Sequence, residues 1–260
     1  MIRFDILTLF PGMFEGFTTE SILGRAQGEG LISIVVTNIR DFASGRHKIT
    51  DDYSFGGGCG MVMMAEPIMR ALESVSTATK PENKSRIVLM SPQGRGFCQE
   101  DAIRLASYDQ VIFICGHYEG VDERISSVVD EEISIGDFVL TGGEIAAMAV
   151  VDATARMIPG VLGHEDSAGS DSFFEGLLDY PHYTRPRVWR GIPVPEVLLS
   201  GDHEAIRLYR RSQALKRTAA RRPDLLEGME LTEEDERLLY DLPKKKRRSS
   251  RKSPAVKDDY

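Results

Sequence analysis

The sequence predicts an α/β fold, a parallel sheet with helices on both faces, followed by a small helical C-terminal domain. Three observations carry that expectation. Short β-branched runs alternate with helical patterns through residues 1–160, which is the mark of a doubly wound parallel sheet. Two apolar runs, Val111–Cys115 and Phe138–Leu140, stop at glycine turns, Gly116 with Gly120 and Gly142 with Gly143. Such turns gather ligands at the carboxyl ends of strands. Finally, the charge changes sign: residues 1–180 hold 13 Lys+Arg against 27 Asp+Glu, and residues 181–260 hold 19 against 13.

Taken in order, Ile2–Phe10 reads as a strand ended by Pro11-Gly12, with a short helix near Met13–Phe17. Leu31–Asn38 is a second strand. Asp41–Met63 has little apolar periodicity and five of the 24 glycines, so it is expected to be a long loop, and loops of that length are usually functional or mobile. Met64–Val75 reads as an amphipathic helix, Arg86–Met90 as a third strand ending at Ser91-Pro92-Gln93-Gly94, and Gln99–Ala106 as a helix. The fourth strand is Val111–Cys115, followed by a short helix over Val121–Val129 and a broken fifth strand over Ile133–Leu140. Glu144 opens a helix to about Met157, stopped by Pro159-Gly160.

Val161–Asp179 is Gly/Ser/Asp-rich without a period, so residues 161–180 read as a flexible linker. Residues 181–243 then form the second domain, with the only tryptophan, Trp189, in a Pro-broken extended stretch. Helices are expected over His203–Arg221 and over Leu231–Leu239, the latter capped by Thr232. Residues 244–260 are a basic tail expected to be disordered; seven of the nine residues Lys244–Lys252 are basic.

Composition is that of a soluble globular protein, 42% hydrophobic and 28% charged, and no run is long enough to span a membrane. Met1–Asp5 runs straight into a strand-like pattern without a secretory signal, so the cytoplasm is the expected location. Net charge is −8, yet Pro181–Arg222 holds ten basic residues against three acidic ones, a polyanion-binding pattern or a solvated basic helix. Three scattered cysteines make no disulfide framework or metal cluster, and Cys115 reads as a small core residue. There is no Gly-x-Ser-x-Gly, His-Glu-x-x-His or Cys-x-x-Cys, and the Gly56–Gly58 loop lacks the Gly-Lys-Ser/Thr of a phosphate loop. The polar residues to weigh are Glu119 in the first glycine turn, Arg156 near the end of the long helix and Asp171 in the linker. By position alone they also read as a turn acid, a helix-end cation and a solvated loop acid, the last being the ordinary reading of Asp171 taken alone.

At these residues the chain resembles the bacterial tRNA (guanine-N1-)-methyltransferase (TrmD) family of SPOUT methyltransferases. The resemblance is carried by GHYEGVDERI, SIGDFVLTGGE, DATARMIPGVLG, HEDSAGSDSF and LLDYPHYTRP, with LFPGMFEGF, DFASGRHKITDDYSFGGGCGMVM and SPQG before them. It extends to about Asp241. It implies a parallel sheet with a deep trefoil knot, which hydrophobic patterning does not show. It also implies a homodimer with each tRNA site shared between subunits. The S-adenosylmethionine pocket then maps to Met90, Ser91 and Pro92, to Gly116 with Tyr118 and Glu119, and to Ile135, Gly136, Asp137, Phe138, Val139 and Leu140 with Gly142 and Gly143.

The implied reaction is methyl transfer to N1 of guanosine 37 in tRNA. Asp171 matches the general base, Arg156 the residue that stabilises charge on guanine O6, and Asp179 a further acid near the substrate. The basic helix, with Arg210, Arg211 and Arg217, would hold tRNA phosphates. The family is linked to Mg²⁺, although no metal-binding spacing is visible and no metal ligand is assigned. Cys59 stands where the family often has proline, and the tail after Pro243 lies outside the family core, as an accessory RNA contact or a solvated tail. The competing readings are a non-catalytic RNA-binding protein, against which Asp171 and Arg156 argue, and a SPOUT enzyme for another RNA, against which LLDYPHYTRP argues.

Overall fold

Val111, Phe113 and Cys115 point into one apolar layer, and Ile112 and Ile114 into another, so a single uninterrupted apolar run feeds two cores. That is why the run shows no polar alternation: a strand covered on both faces has no wet side. The computed structural model describes residues 1–76, 84–163 and 171–242. Contacts divide the chain into two units, residues 1–169 and 170–260, with the boundary inside the stretch expected to be a linker.

In the first unit β1 (Ile2–Thr8) is followed by a 3₁₀ turn (Pro11–Phe14), α1 (Glu15–Thr19), α2 (Ser21–Gly28) and β2 (Ile32–Asn38). Next come β3 (Asp51–Tyr53), β4 (Met61–Met63), α3 (Ala65–Ser76), β5 (Ser85–Gly96), α4 (Gln99–Leu105), β6 (Gln110–Cys115), β7 (Glu131–Ser134) and α5 (Glu144–Ala155). The main sheet is parallel, in the order β2-β1-β6-β5-β7. One core layer packs α5 and α2 against Phe4, Ile6 and Phe113; the other packs α3 against Leu7, Ile112 and Ile114. Each such fully buried side chain contributes about 1.5–3 kcal/mol relative to exposure.

Four details differ from the sequence reading. The expected strand Ile133–Leu140 ends at Ser134, because Gly136 turns at φ +151° and the Phe138 N–H closes onto the Gly136 carbonyl at 2.9 Å. Val121–Val129 is only a 3₁₀ turn over Glu123–Ser127, started by the Asp122 carboxylate accepting the Arg124 N–H. The loop Asp41–Met63 contains the antiparallel β3–β4 pair, with Asp51 opposite Met63 and Tyr53 opposite Met61. The third strand does not stop at Met90: Ile133 of β7 faces both Met90 and Arg95, so residues 91–94 bulge out and the strand resumes to Gly96.

In the second unit a hairpin of β8 (Val188–Trp189) and β9 (Ile192–Pro193) precedes α6 (His203–Arg221) and α7 (Glu233–Leu239). Asp202 caps α6 by accepting the N–H groups of Glu204 and Ala205, and Thr232 caps α7 in a reciprocal pair with Asp235. Leu177, Ala214 and Leu215 are the buried centre, with Leu226, Leu231 and Leu238 around them. The Lys/Arg tail lies outside the described residues.

Candidate active site

Because β5, β6 and β7 are parallel neighbours, the chain leaves all three on the same side of the sheet, around a cavity of about 300 Å³. The bulge of β5 contributes Ser91 and Pro92, and the turn after β6 contributes Gly116, Tyr118 and Glu119. The irregular segment after β7 contributes Ile135, Gly136, Phe138, Val139, Leu140, Gly142 and Gly143. Asp137 does not line it. Val139 is 83% exposed and Phe138 55%. Large apolar side chains left open beside a cavity are the surface a ligand would cover.

Glycine is required at the join between the second and third loops. The Gly143 N–H donates to the Gly116 carbonyl at 2.8 Å, and a Cβ on Gly143 would fall 2.9 Å from Cys115 Cα and 3.0 Å from Met90 Cβ. A Cβ on Gly142 would fall 2.3 Å from Glu144 Oε2 and 2.5 Å from His117 Nδ1. Glu144 is buried and accepts the Thr8 hydroxyl at 2.7 Å. His117 was not singled out in the sequence. It lines the cavity, packs 4.7 Å from the Phe10 ring, and keeps a buried Nδ1 without a hydrogen-bond partner. The only signal for it in the sequence is its place inside the glycine turn, beside Tyr118 and Glu119. Burial, reinforced by the Glu144 charge, pushes the Cys115 thiol well above its ordinary pKa, so it stays protonated as a core residue.

Behind the bulge, Arg95 and Arg104 both pair with Asp101, while Glu131 pairs with Arg86 at 2.8 Å and with Arg104 at 2.8 Å. Burial pushes the Asp101 carboxyl up, but Arg95, Arg104 and Cys98 outweigh it and hold the group well below the carboxylate range. This ionic clamp ties β5 and α4 to the start of β7. The long loop joins the cavity at Glu119, which donates its N–H to the Met61 carbonyl at 3.1 Å, and a Cβ on Gly60 would meet the Glu119 side chain at 2.5 Å.

Arg156 is the C-cap residue of α5, where a cation suits the helix dipole. In the second unit Asp171 and Asp179 stand on the two arms of one closed turn. The Phe173 N–H donates to Leu177 O at 2.7 Å and the Asp179 N–H to Ser172 Oγ at 2.9 Å. Thr218 of α6 accepts the Leu178 N–H at 2.9 Å, and Arg217 donates to the Asp179 carbonyl at 3.1 Å. Asp179 Oδ2 lies 2.6 Å from His182 Nε2. The basic helix is less free than its charge suggests. Arg211 is held by Asp235 at 2.7 Å, whereas Arg210 lies over the Tyr180 ring at 4.9 Å. Among the described residues, no group of three or more His, Cys, Asp or Glu is arranged to hold a metal.

The family model described as tRNA (Guanine-1)-methyltransferase TrmD matches residues 2–228. The chain belongs to this family. A protein from Syntrophotalea carbinolica named tRNA (guanine-N(1)-)-methyltransferase is 55% identical over 239 residues, 92% of this chain and 96% of its own length. A protein of the same name from Carboxydothermus hydrogenoformans is 55% identical over 240 residues, 92% and 93% of the two chains. Another from Limosilactobacillus fermentum is 52% identical over 242 residues, 93% and 96%. Membership extends through both units, so the cavity of the first and the Asp171 turn of the second are parts of one family-wide protein.

Proposed function

We propose that the chain transfers a methyl group from S-adenosylmethionine to N1 of guanosine 37 in tRNA. One observation carries the reading: three glycine-bearing loops converge on one cavity in a chain whose relatives, over 92% of its length, are named for guanine-N1 methylation of tRNA. The cavity fits the cofactor. Glycine backbones allow close approach, Phe138 and Val139 offer apolar walls, and the unpartnered His117 Nδ1 offers a polar contact. When bound, S-adenosylmethionine supplies a methyl group activated on a positively charged sulfur.

The protein must then remove the N1 proton and stabilise the charge that its loss leaves on O6. Asp171 takes the proton, and Arg156 faces the developing negative charge. Asp179, fixed by Ser172, His182 and Arg217, holds the substrate side of the same turn. Arg210, with its guanidinium on a ring rather than in an ion pair, takes a tRNA phosphate. We also propose a homodimer whose active sites are shared between subunits, with exposed Met13, Phe55 and Ile145 as apolar surface available to it. We propose further that the chain follows the knotted path of the SPOUT methyltransferases. No helix among the described residues is long and apolar enough to cross a membrane, and we place the enzyme in the cytoplasm.

The test is transfer of labelled methyl to two tRNA transcripts differing only in guanine or adenine at position 37. Label on the guanine transcript alone is the expected result. Label on both moves the target elsewhere in RNA, and label on neither favours an RNA-binding protein without this activity.

A further inference from the structure

The Pro-broken stretch with the only tryptophan is a two-stranded ribbon without a core of its own. Val188 pairs with Pro193 and Trp189 with Ile192, and the Val194 N–H donates to the Arg187 carbonyl at 2.8 Å. Val188, Trp189 and Ile192 are 56%, 58% and 65% exposed. The turn is Arg190-Gly191, with φ of +51° and +81°. Both central residues are thus left-handed, a geometry that ordinarily selects Asn or Gly at the first position. Here it carries an arginine, whose guanidinium lies 4.8 Å from the Trp189 ring.

Charge distinguishes this ribbon from the rest of the second unit. No acidic residue occurs from Tyr180 to Pro195, and Arg185, Arg187 and Arg190 are exposed. Among the described residues none of the three forms an ion pair, whereas on α6 Arg207, Arg211 and Lys216 all do. An open aromatic face among unneutralised arginines suits single-stranded nucleic acid, with a base on the ring and phosphates on the cations. It suits a protein surface less well, because burial there would strand three unpaired charges. We propose that this hairpin is a further tRNA contact, with Trp189 stacking on an unpaired base and Arg187 and Arg190 taking the adjacent phosphates. The inference rests on tRNA being the substrate.

Since Trp189 is the chain's only tryptophan, its emission reports the contact directly. Titrating the full-length protein with the guanosine-37 transcript is expected to quench that emission with saturation. The Trp189→Ala variant is expected to raise KM for tRNA about tenfold, with KM for S-adenosylmethionine and kcat at saturating tRNA within twofold. Trp189→Tyr should recover most of the loss. Replacing Arg187 and Arg190 with Gln should lower the slope of log affinity against log salt by about one to two. Unchanged emission while the wild-type protein methylates the same transcript would overturn the hairpin contact alone. So would a Trp189→Ala variant that loses self-association at unchanged tRNA KM, since the ribbon would then lie between copies. Wild-type protein that neither binds nor methylates the transcript would remove the tRNA reading itself.

Discussion

The sheet unit and the helical unit are held together by different forces. In the first, two apolar layers sandwich a sheet whose central strand is buried on both faces, and the cavity is built largely from backbone. In the second, Leu177, Ala214 and Leu215 are the only buried apolar side chains among the described residues, and charged pairs do much of the fastening. The first unit should therefore be sensitive to added carbon, with salt acting there chiefly on the Asp101 and Glu131 pairs. The second should be sensitive to lost charge, and its cations are divided between holding the fold and meeting RNA.

The sharpest break in that comparison comes from a side chain. Asp171→Ala should lower kcat by about 10²–10⁴-fold, with S-adenosylmethionine affinity within a few-fold, as calorimetry would show. Turnover near wild type would remove Asp171 as the base. Gly143→Ala tests the backbone-built site: its Cβ would meet Cys115 and Met90, so cofactor affinity should fall more than about tenfold while tRNA binding persists. An unchanged cofactor affinity would mean that the join between the loops yields.

Asp235→Asn should destabilise the second unit by about 2 kcal/mol, below the range for a fully buried pair because Arg211 is partly exposed. Denaturant unfolding followed on that unit would measure it. The same pair predicts a pH response. The hydrogen bond from Arg211, with Thr232, holds the Asp235 carboxyl below its ordinary pKa despite burial. Its contribution is present above about pH 4 and is lost as pH falls through the lowered folded value. The smallest effect separates two neighbouring arginines. Arg210→Ala should weaken tRNA binding a few-fold without moving the melting temperature, whereas Arg211→Ala should lower the melting temperature, because Arg211 is already committed to Asp235. Equal thermal effects would blur the division between fold-holding and RNA-facing cations.

Much of this was legible in the residues. The Val111–Cys115 run and the glycines that follow it announced a buried strand and the turn that now lines the cavity, and Thr232 announced its helix. The apolar Ile135–Leu140 segment misled because apolar side chains ordinarily mean burial in a sheet; here Phe138 and Val139 face open space beside a cavity. Helix α2 gave no clear signal, being eight residues with two glycines. Charge was equally ambiguous, since an arginine reads the same whether it meets a carboxylate or solvent.

By itself, then, the sequence determined the local matters: the strands at Ile2–Thr8, Ile32–Asn38 and Val111–Cys115, the glycine turn after Cys115, the Thr232 cap, and that the acidic and basic halves differ. Those follow from side-chain period and backbone stereochemistry, which act over a few residues. Only the tertiary structure decided that residues 91–94 bulge toward the same cavity as Gly116 and Gly143, that His117 Nδ1 is left without a partner, and that Arg211 is spent on Asp235 while Arg190 is not. Those depend on which distant segments come within about 3 Å of one another, the range over which hydrogen bonds and ion pairs act.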